Sequence, residues 1–271
     1  MAATEKFIDI DGRPLFYRVM GTGKPVVLLH GFAEDGTIWQ HQVAALRASY
    51  RLIVPDLPGS GRSGMSEDMS MEGLAASVKQ VIEEELPGNE RVVMIGHSMG
   101  GYITLAFAEK YPERLKAIGL FHSTARADNE ERKALRQKGI EFMLQHGAEL
   151  FMQQTTPNQF SPSFKQAHPE VVREILERYS NFSNESLVQY YRAMMVRPDR
   201  TDILKKSIWP VLLIAGEHDM GIPPEQLMQQ SYLPSLSYIH LLKHSAHMGM
   251  LEEQELSNKF LADFLAEVCI V

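Results

Sequence analysis

One cysteine, Cys269, is all the thiol in these 271 residues, so an intrachain disulfide is impossible and a reducing compartment fits. Long apolar runs are missing too; the longest are far too short to span a bilayer. No stretch concentrates Lys and Arg, and 27 basic against 34 acidic residues leave a net charge of −7. That balance argues against nucleic acid or an anionic membrane surface as a partner. The segment Met1–Lys6 lacks the basic start and apolar centre of a signal peptide. A cytoplasmic protein is expected. No internal repeat or low-complexity tract is visible.

What is present is the balance of a globular chain with a real core, 44% hydrophobic and 23% charged. The length suits a single α/β domain carrying an insertion. Lys6–Ile10 and Leu15–Val19 flank Asp11-Gly12, a hairpin signal. Short apolar runs follow at Val26–Leu29, Leu52–Val54, Val92–Ile95, Leu115–Phe121, Val211–Ala215 and Leu236–Leu241. Helical patterns separate them at Gln40–Ala48, Met71–Glu84, Gly101–Lys110, Pro224–Ser231 and Glu252–Val268. The alternation predicts an α/β sheet that is mostly parallel after the first hairpin.

One interval breaks that alternation. From about Ser123 to Ser207 no strand is predicted, and Asp128–His146, Ala148–Gln154, Pro169–Asn181 and Glu185–Val196 read as helices. Asp128 and Ser183 stand at expected N-caps, and Thr155–Pro169 reads as a loop. The expected organisation is a core of residues 1–122 and 208–271, with residues 123–207 inserted as a helical cap or lid.

The chemistry centres on Gly96-His97-Ser98-Met99-Gly100, which reads G-x-S-x-G between a predicted strand and a predicted helix. That context is what a nucleophile elbow requires. The turn is tight enough to demand small flanking residues. It lifts the serine hydroxyl above a strand end, where backbone N–H groups and the helix dipole meet developing negative charge. A serine nucleophile needs a base, and the base needs an orienting acid. Asp219 falls beyond the Val211–Ala215 run, and His247 falls beyond the run ending near Leu241. Both positions lie at C-terminal strand ends, where open α/β sheets carry their sites. Glu217 shares the loop of Asp219 and is its local rival for the imidazole. The expected oxyanion hole combines the N–H of Met99 with that of Phe32, in His30-Gly31-Phe32.

With these residues in place, the chain resembles the α/β-hydrolase superfamily over nearly its whole length. The resemblance rests on His30-Gly31-Phe32 with Trp39 beyond it, Asp56-Leu57-Pro58-Gly59-Ser60-Gly61-Arg62-Ser63, Gly96 to Gly101, Gly216-Glu217-His218-Asp219, and His247. It implies a mostly parallel eight-stranded sheet flanked by helices, and a Ser98–His247–Asp219 triad. The family spacing favours Asp219 over Glu217. Within the superfamily the chain looks like the small capped serine enzymes: carboxylesterases, oxoadipate enol-lactonases and cofactor-free haloperoxidases. The resemblance implies hydrolysis of a small-molecule ester or lactone, with no cofactor and no metal.

Several relatives fit less well. Haloalkane dehalogenases and epoxide hydrolases of this fold use an aspartate nucleophile, where this chain has Ser98. Ring-cleavage C–C hydrolases, which would take a β-diketone-like substrate, usually carry Trp after the catalytic His, where this chain has Met248. Triad-bearing small-molecule receptors usually lack the second glycine of Gly100-Gly101.

Other patterns have plainer readings. His240, His244 and His247 lack the one-face spacing of a helical zinc pair, so His240 reads as a strand residue and His244 as a solvated loop residue. Gly59 to Gly64 matches G-x-G-x-x-G but runs on into Met65-Ser66-Glu67-Asp68 rather than a helix, so turns beside the site are expected. Met99, Met220 and Met248 follow the three triad residues, and Met143, Met152, Met194 and Met195 lie in the insertion. Most are expected in the core, with some lining an adaptable apolar pocket.

Overall fold

A computed structural model describes residues 3–269. Eight strands form one sheet: β1 (Thr4–Ile10), β2 (Arg13–Met20), β3 (Lys24–Leu29), β4 (Tyr50–Pro55), β5 (Val92–His97), β6 (Leu115–Phe121), β7 (Val211–Gly216) and β8 (Ser237–Leu242). Their order is β1-β2-β4-β3-β5-β6-β7-β8. β2 pairs antiparallel with β1 and β4, and every later pair is parallel. The first hairpin turns at Asp11-Gly12, both with positive φ, +53° and +79°, as a two-residue primed turn requires.

Burial explains which runs read as continuous and which alternate. β5 and β7 are buried at every residue, because helices cover both faces of the sheet. β1, at one edge, alternates exposed and half-buried positions. The covering helices are α1 (Gln40–Leu46), α2 (Met71–Glu85), α3 (Met99–Lys110), and, beyond β6, α4 (Glu130–His146), α5 (Ala148–Thr155), α6 (Pro162–Ala167), α7 (Pro169–Arg178), α8 (Asn184–Val196) and α9 (Thr201–Lys205). After β7 come α10 (Pro224–Ser231), α11 (Gly249–Glu252) and α12 (Gln254–Cys269). Among the described residues no helix is long and apolar enough to cross a membrane.

Between β6 and β7 the described residues form helices and no strand. Two local expectations there are corrected. Asp128 does not cap α4; Asn129 does, accepting the N–H of Arg132 at 2.9 Å. Asp128 is left to pair with arginines. The expected loop 155–169 contains a 3₁₀ turn at Thr156–Gln159 and helix α6. Its prolines occupy first-turn positions, where the missing N–H costs no hydrogen bond. Ser183 does cap α8, accepting from Ser186 N–H at 3.1 Å.

The order β4-β3-β5 marks where the chain reverses its direction of travel across the sheet. Leu29 of β3 pairs with Gly96 of β5, so the loop after β3 and the turn after β5 emerge side by side at the C-terminal edge. That is the switch point at which open α/β sheets bind ligands.

Candidate active site

Ser98 sits between β5 and α3 with φ +49° and ψ −114°, a conformation that costs a non-glycine residue roughly 1–3 kcal/mol. Its surroundings over-determine it. The Ser98 N–H donates to Phe121 O at 2.9 Å, and its carbonyl accepts from Gly101 N–H at 2.9 Å and Ser123 Oγ at 2.8 Å. A Cβ on Gly96 would lie 2.2 Å from the Gly100 carbonyl, and one on Gly100 would lie 2.5 Å from Leu29 O. Backbone on both sides thus forces glycine at these two positions. Ala33 and His122, beside the same edge, also take positive φ, +57° and +49°. Among the described residues, three of the four non-glycine residues with positive φ therefore cluster at one place, where strain and function commonly coincide.

His247 follows β8 and Asp219 follows β7. His247 Nδ1 lies 2.7 Å from Asp219 Oδ2. The other carboxylate oxygen, Oδ1, accepts the N–H groups of Gly221 and Ile222, each at 2.8 Å. Asp219 is buried, whereas Glu217 is exposed. Burial works against the Asp219 charge, but His247 and hydrogen bonds from both neighbouring imidazoles outweigh it and hold the carboxyl far below the usual range. Burial also disfavours a charged His247, yet the Asp219 carboxylate, by charge and hydrogen bond, raises it above an ordinary imidazole.

Two further clamps fix the His247 loop. Its N–H donates to Gln159 O at 2.8 Å, from the helical segment between β6 and β7. Glu252 accepts Ala246 N–H at 2.9 Å, Met248 N–H at 3.1 Å and, through its other oxygen, Ser161 N–H at 2.7 Å.

The sequence reading missed three site residues. His122, directly after β6, places Nδ1 3.1 Å from the same Asp219 Oδ2. Burial drives its pKa down to about 4 against the pull of Asp219, so it is neutral at pH 7 and donates from Nδ1. Its Nε2 has no partner, and a Cβ on Gly249 would meet that nitrogen at 2.4 Å. The other two are Glu34 and His97. His97 Nδ1 lies 3.0 Å from Glu34 Oε2 and its Nε2 3.0 Å from His247 O. Glu34 Oε2 also accepts Gly31 N–H at 2.6 Å. Burial opposes the Glu34 charge, but His97 and that N–H prevail and lower its pKa. The only available signal was position: His122 and Glu34 both lie just beyond strand ends.

Phe32 and Met99 flank the serine from the loop after β3 and the start of α3. The Phe32 ring stacks on Tyr191 of α8 at 4.5 Å. His30 Nε2 accepts Leu57 N–H at 2.9 Å, so Nδ1 carries the proton and donates to Gly31 O at 2.8 Å. This ties the loop bearing Phe32 to the loop after β4. Gly59 and Gly61 take positive φ in that second loop, and no helix begins before Met71, so the glycine-rich stretch does not open a dinucleotide-type helix.

Ser98, His247, Asp219 and Phe32 line one cavity of about 190 Å³, together with Arg132 and Arg136 of α4. Of the seven methionines singled out above, Met194 lines it; Met220 points to solvent, and Met99 and Met248 are core residues. The expected Met-lined apolar pocket is therefore reduced to one side chain, and guanidinium groups stand where it was expected.

His240, in β8, stacks on Phe260 at 3.8 Å and His244 is exposed, so these two do not converge with His247. Donor atoms of His122, Asp219 and His247 do lie within 4.8 Å of one another. Both rings aim Nδ1 at a single carboxylate oxygen. That is N–H donation to one acceptor, not three lone pairs converging on an ion.

A family model described as the alpha/beta hydrolase fold matches residues 24–254. Among curated proteins, a pimeloyl-[acyl-carrier protein] methyl ester esterase of Vibrio cholerae is 26% identical over 259 residues, 92% of this chain and 97% of that protein. Among solved structures, a thermophilic esterase of Thermogutta terrifontis superposes with a TM-score of 0.90 at 29% identity, covering 99% of this chain and 100% of the other. An enol-lactonase of Burkholderia xenovorans gives 0.88 at 22% identity, covering 96% and 100%. With the sheet order, the strained serine turn and a family match over most of its length, the chain belongs to the alpha/beta hydrolase fold family and is an enzyme of that family.

Proposed function

We propose that the protein is a serine hydrolase that cleaves a small carboxylic ester or lactone through an acyl-enzyme on Ser98. The observation that carries this reading is the His247–Asp219 hydrogen bond of 2.7 Å, set in the same cavity as a serine held at positive φ. The Ser98 Oγ attacks the carbonyl carbon while His247 Nε2 takes its proton. The N–H groups of Phe32 and Met99 receive the oxyanion, helped by the positive end of α3. The tetrahedral intermediate collapses, and the leaving alkoxide takes the proton from His247. Water then attacks the acyl carbon, giving its proton to His247 and releasing the acid as Ser98 regains a proton. Asp219 keeps Nδ1 protonated, so that Nε2 is the free base, and it stabilises the imidazolium. No step needs a cofactor.

Residues 123–207 act as a lid in this reading, since Gln159 holds the His247 backbone and α4 and α8 wall the cavity. The named esterase relatives point to the same bond type. The lone Cys269 accords with a reducing, cytoplasmic setting. The test is a pH-stat panel of short methyl esters and lactones. Multiple turnovers without any additive are expected for at least one ester, with activity lost in Ser98→Ala. Equal rates in wild type and Ser98→Ala would overturn the reading.

A further inference from the structure

We infer that the substrate carries an anionic group, most simply a carboxylate, bound by Arg132 and Arg136 while its ester lies at Ser98. The inference rests on the serine-hydrolase reading and adds a substrate class to it.

Both arginines project from one face of α4, four residues apart, into the cavity that holds Ser98 and His247. The charges facing that space are Arg132, Arg136, Glu34, Asp219 and the imidazoles of His97 and His247. Glu34 and Asp219 are committed, each to a histidine and to backbone N–H groups. The arginines are not balanced in that way. Asp128 is the carboxylate that faces them, and it serves three guanidinium groups. Arg136 Nε donates to it at 2.6 Å and Arg197 Nη1 approaches at 2.8 Å, while Arg132 stops at 3.6 Å, beyond hydrogen-bond range. Arg197 is otherwise occupied, donating to Met194 O and Arg126 O and lying over the Tyr102 ring. A structural brace between α4 and α8 needs one arginine for one aspartate. Here the excess positive charge is only partly solvated, with the Arg132 side chain 30% exposed and that of Arg136 11%. Holding such charge out of water is costly unless an anion meets it.

The placement suits a substrate held at both ends. Arg136 lies over the Tyr191 ring at 5.1 Å, and Tyr191 stacks on Phe32. Two ring contacts thus link the guanidinium to the residue whose N–H is the proposed oxyanion donor, and all three residues line the cavity that holds Ser98. The charge of Arg132 already reaches the site, since it works against protonation of His247. The same two arginines, with Tyr191 and Asn158, also border a wider outer cavity of about 850 Å³, where Arg126 and Arg197 face the acidic Asp128, Glu131 and Asp199. Four arginines against three carboxylates leave that approach with a small excess of positive charge, and Arg132 and Arg136 stand on the side shared with the serine cavity. A guanidinium fork donates bidentately to a carboxylate, and to a phosphate as well, so the test separates the two.

The experiment compares kcat/KM for monomethyl succinate, glutarate and adipate with the matching ω-carboxamide methyl esters, and with an ω-phosphonate methyl ester. Wild type is expected to favour the carboxylate over the carboxamide at least tenfold at one or more chain lengths, mainly through KM. Arg132→Gln and Arg136→Gln should each bring that ratio down at least fivefold. Arg132→Gln breaks no hydrogen bond to Asp128, so it keeps the test valid should Arg136→Gln fold poorly. A wild-type ratio near one at every length, or a ratio unchanged in Arg132→Gln, overturns the inference while hydrolysis itself stands. Preference for phosphonate over carboxylate keeps the anion site and reassigns its ligand. Cleavage of none of these esters, with Ser98 still labelled by a fluorophosphonate, overturns this inference and leaves the hydrolase reading standing; absence of that labelling overturns both.

Discussion

His122 places its Nδ1 3.1 Å from Oδ2 of Asp219, the oxygen that also receives Nδ1 of His247. One carboxylate thus collects four donors, two from backbone and two from imidazoles. That satisfies a buried anion fully and leaves it little freedom to turn.

His122 should make the fold acid-sensitive. Its folded pKa, about 4, lies below the ordinary value of 6.5, so the unfolded chain binds the proton more readily. The stability linked to it is fully present above pH 6.5 and is lost as pH falls from there to about 4. Over that window the loss is about 3 kcal/mol. His122→Asn keeps an N–H at a similar place, tolerates positive φ and removes the titration. Urea unfolding at pH 7 and 4.5 should show wild type losing about 2–3 kcal/mol more than the variant. Parallel losses would assign the acid sensitivity elsewhere.

Asp219, not Glu217, should control turnover. In Asp219→Asn the amide oxygen is expected to stay on the Gly221 and Ile222 N–H groups, turning NH₂ toward the imidazoles. His247 must then accept at Nδ1 and carry its proton on Nε2, the wrong tautomer for a base. Activity should fall by roughly 10³–10⁴-fold, as in the serine-protease triad, with the fold intact by circular dichroism. Exposed Glu217→Gln should keep most of it. The reverse ranking would move the acid to Glu217.

Gly96→Ala tests the turn itself. The added methyl meets the Gly100 carbonyl at 2.2 Å, and backbone cannot step aside as a side chain can. A cost of about 3 kcal/mol or more is expected, with activity lost. Gly12→Ala, with open space around its Cβ but positive φ, should cost less. A thermal unfolding comparison decides between them.

These residues also show what a one-dimensional reading can reach. β5 and β7 were legible because strands covered on both faces must be apolar throughout. The Ser98 turn was legible because its glycines sit between such a strand and a helix. His122 was not, because its partner is 97 positions away and a histidine after a strand has many plainer uses. Glu34 and His97 are 63 apart and meet only when β3 and β5 pair. Asp128 and Asn129 are equally good caps; the choice is made by the arginines that claim Asp128, which depends on how α4 packs against α8. The polar side of the cavity was hidden for the same reason.

The central claim is that Ser98 is the nucleophile, and one measurement reaches it without knowledge of the substrate. The protein is incubated with a fluorophosphonate and the adduct is located by tandem mass spectrometry. The account predicts a single adduct on the peptide containing Ser98, absent in Ser98→Ala and greatly slowed in His247→Ala. Labelling at another serine, or undiminished labelling of Ser98→Ala, would contradict it.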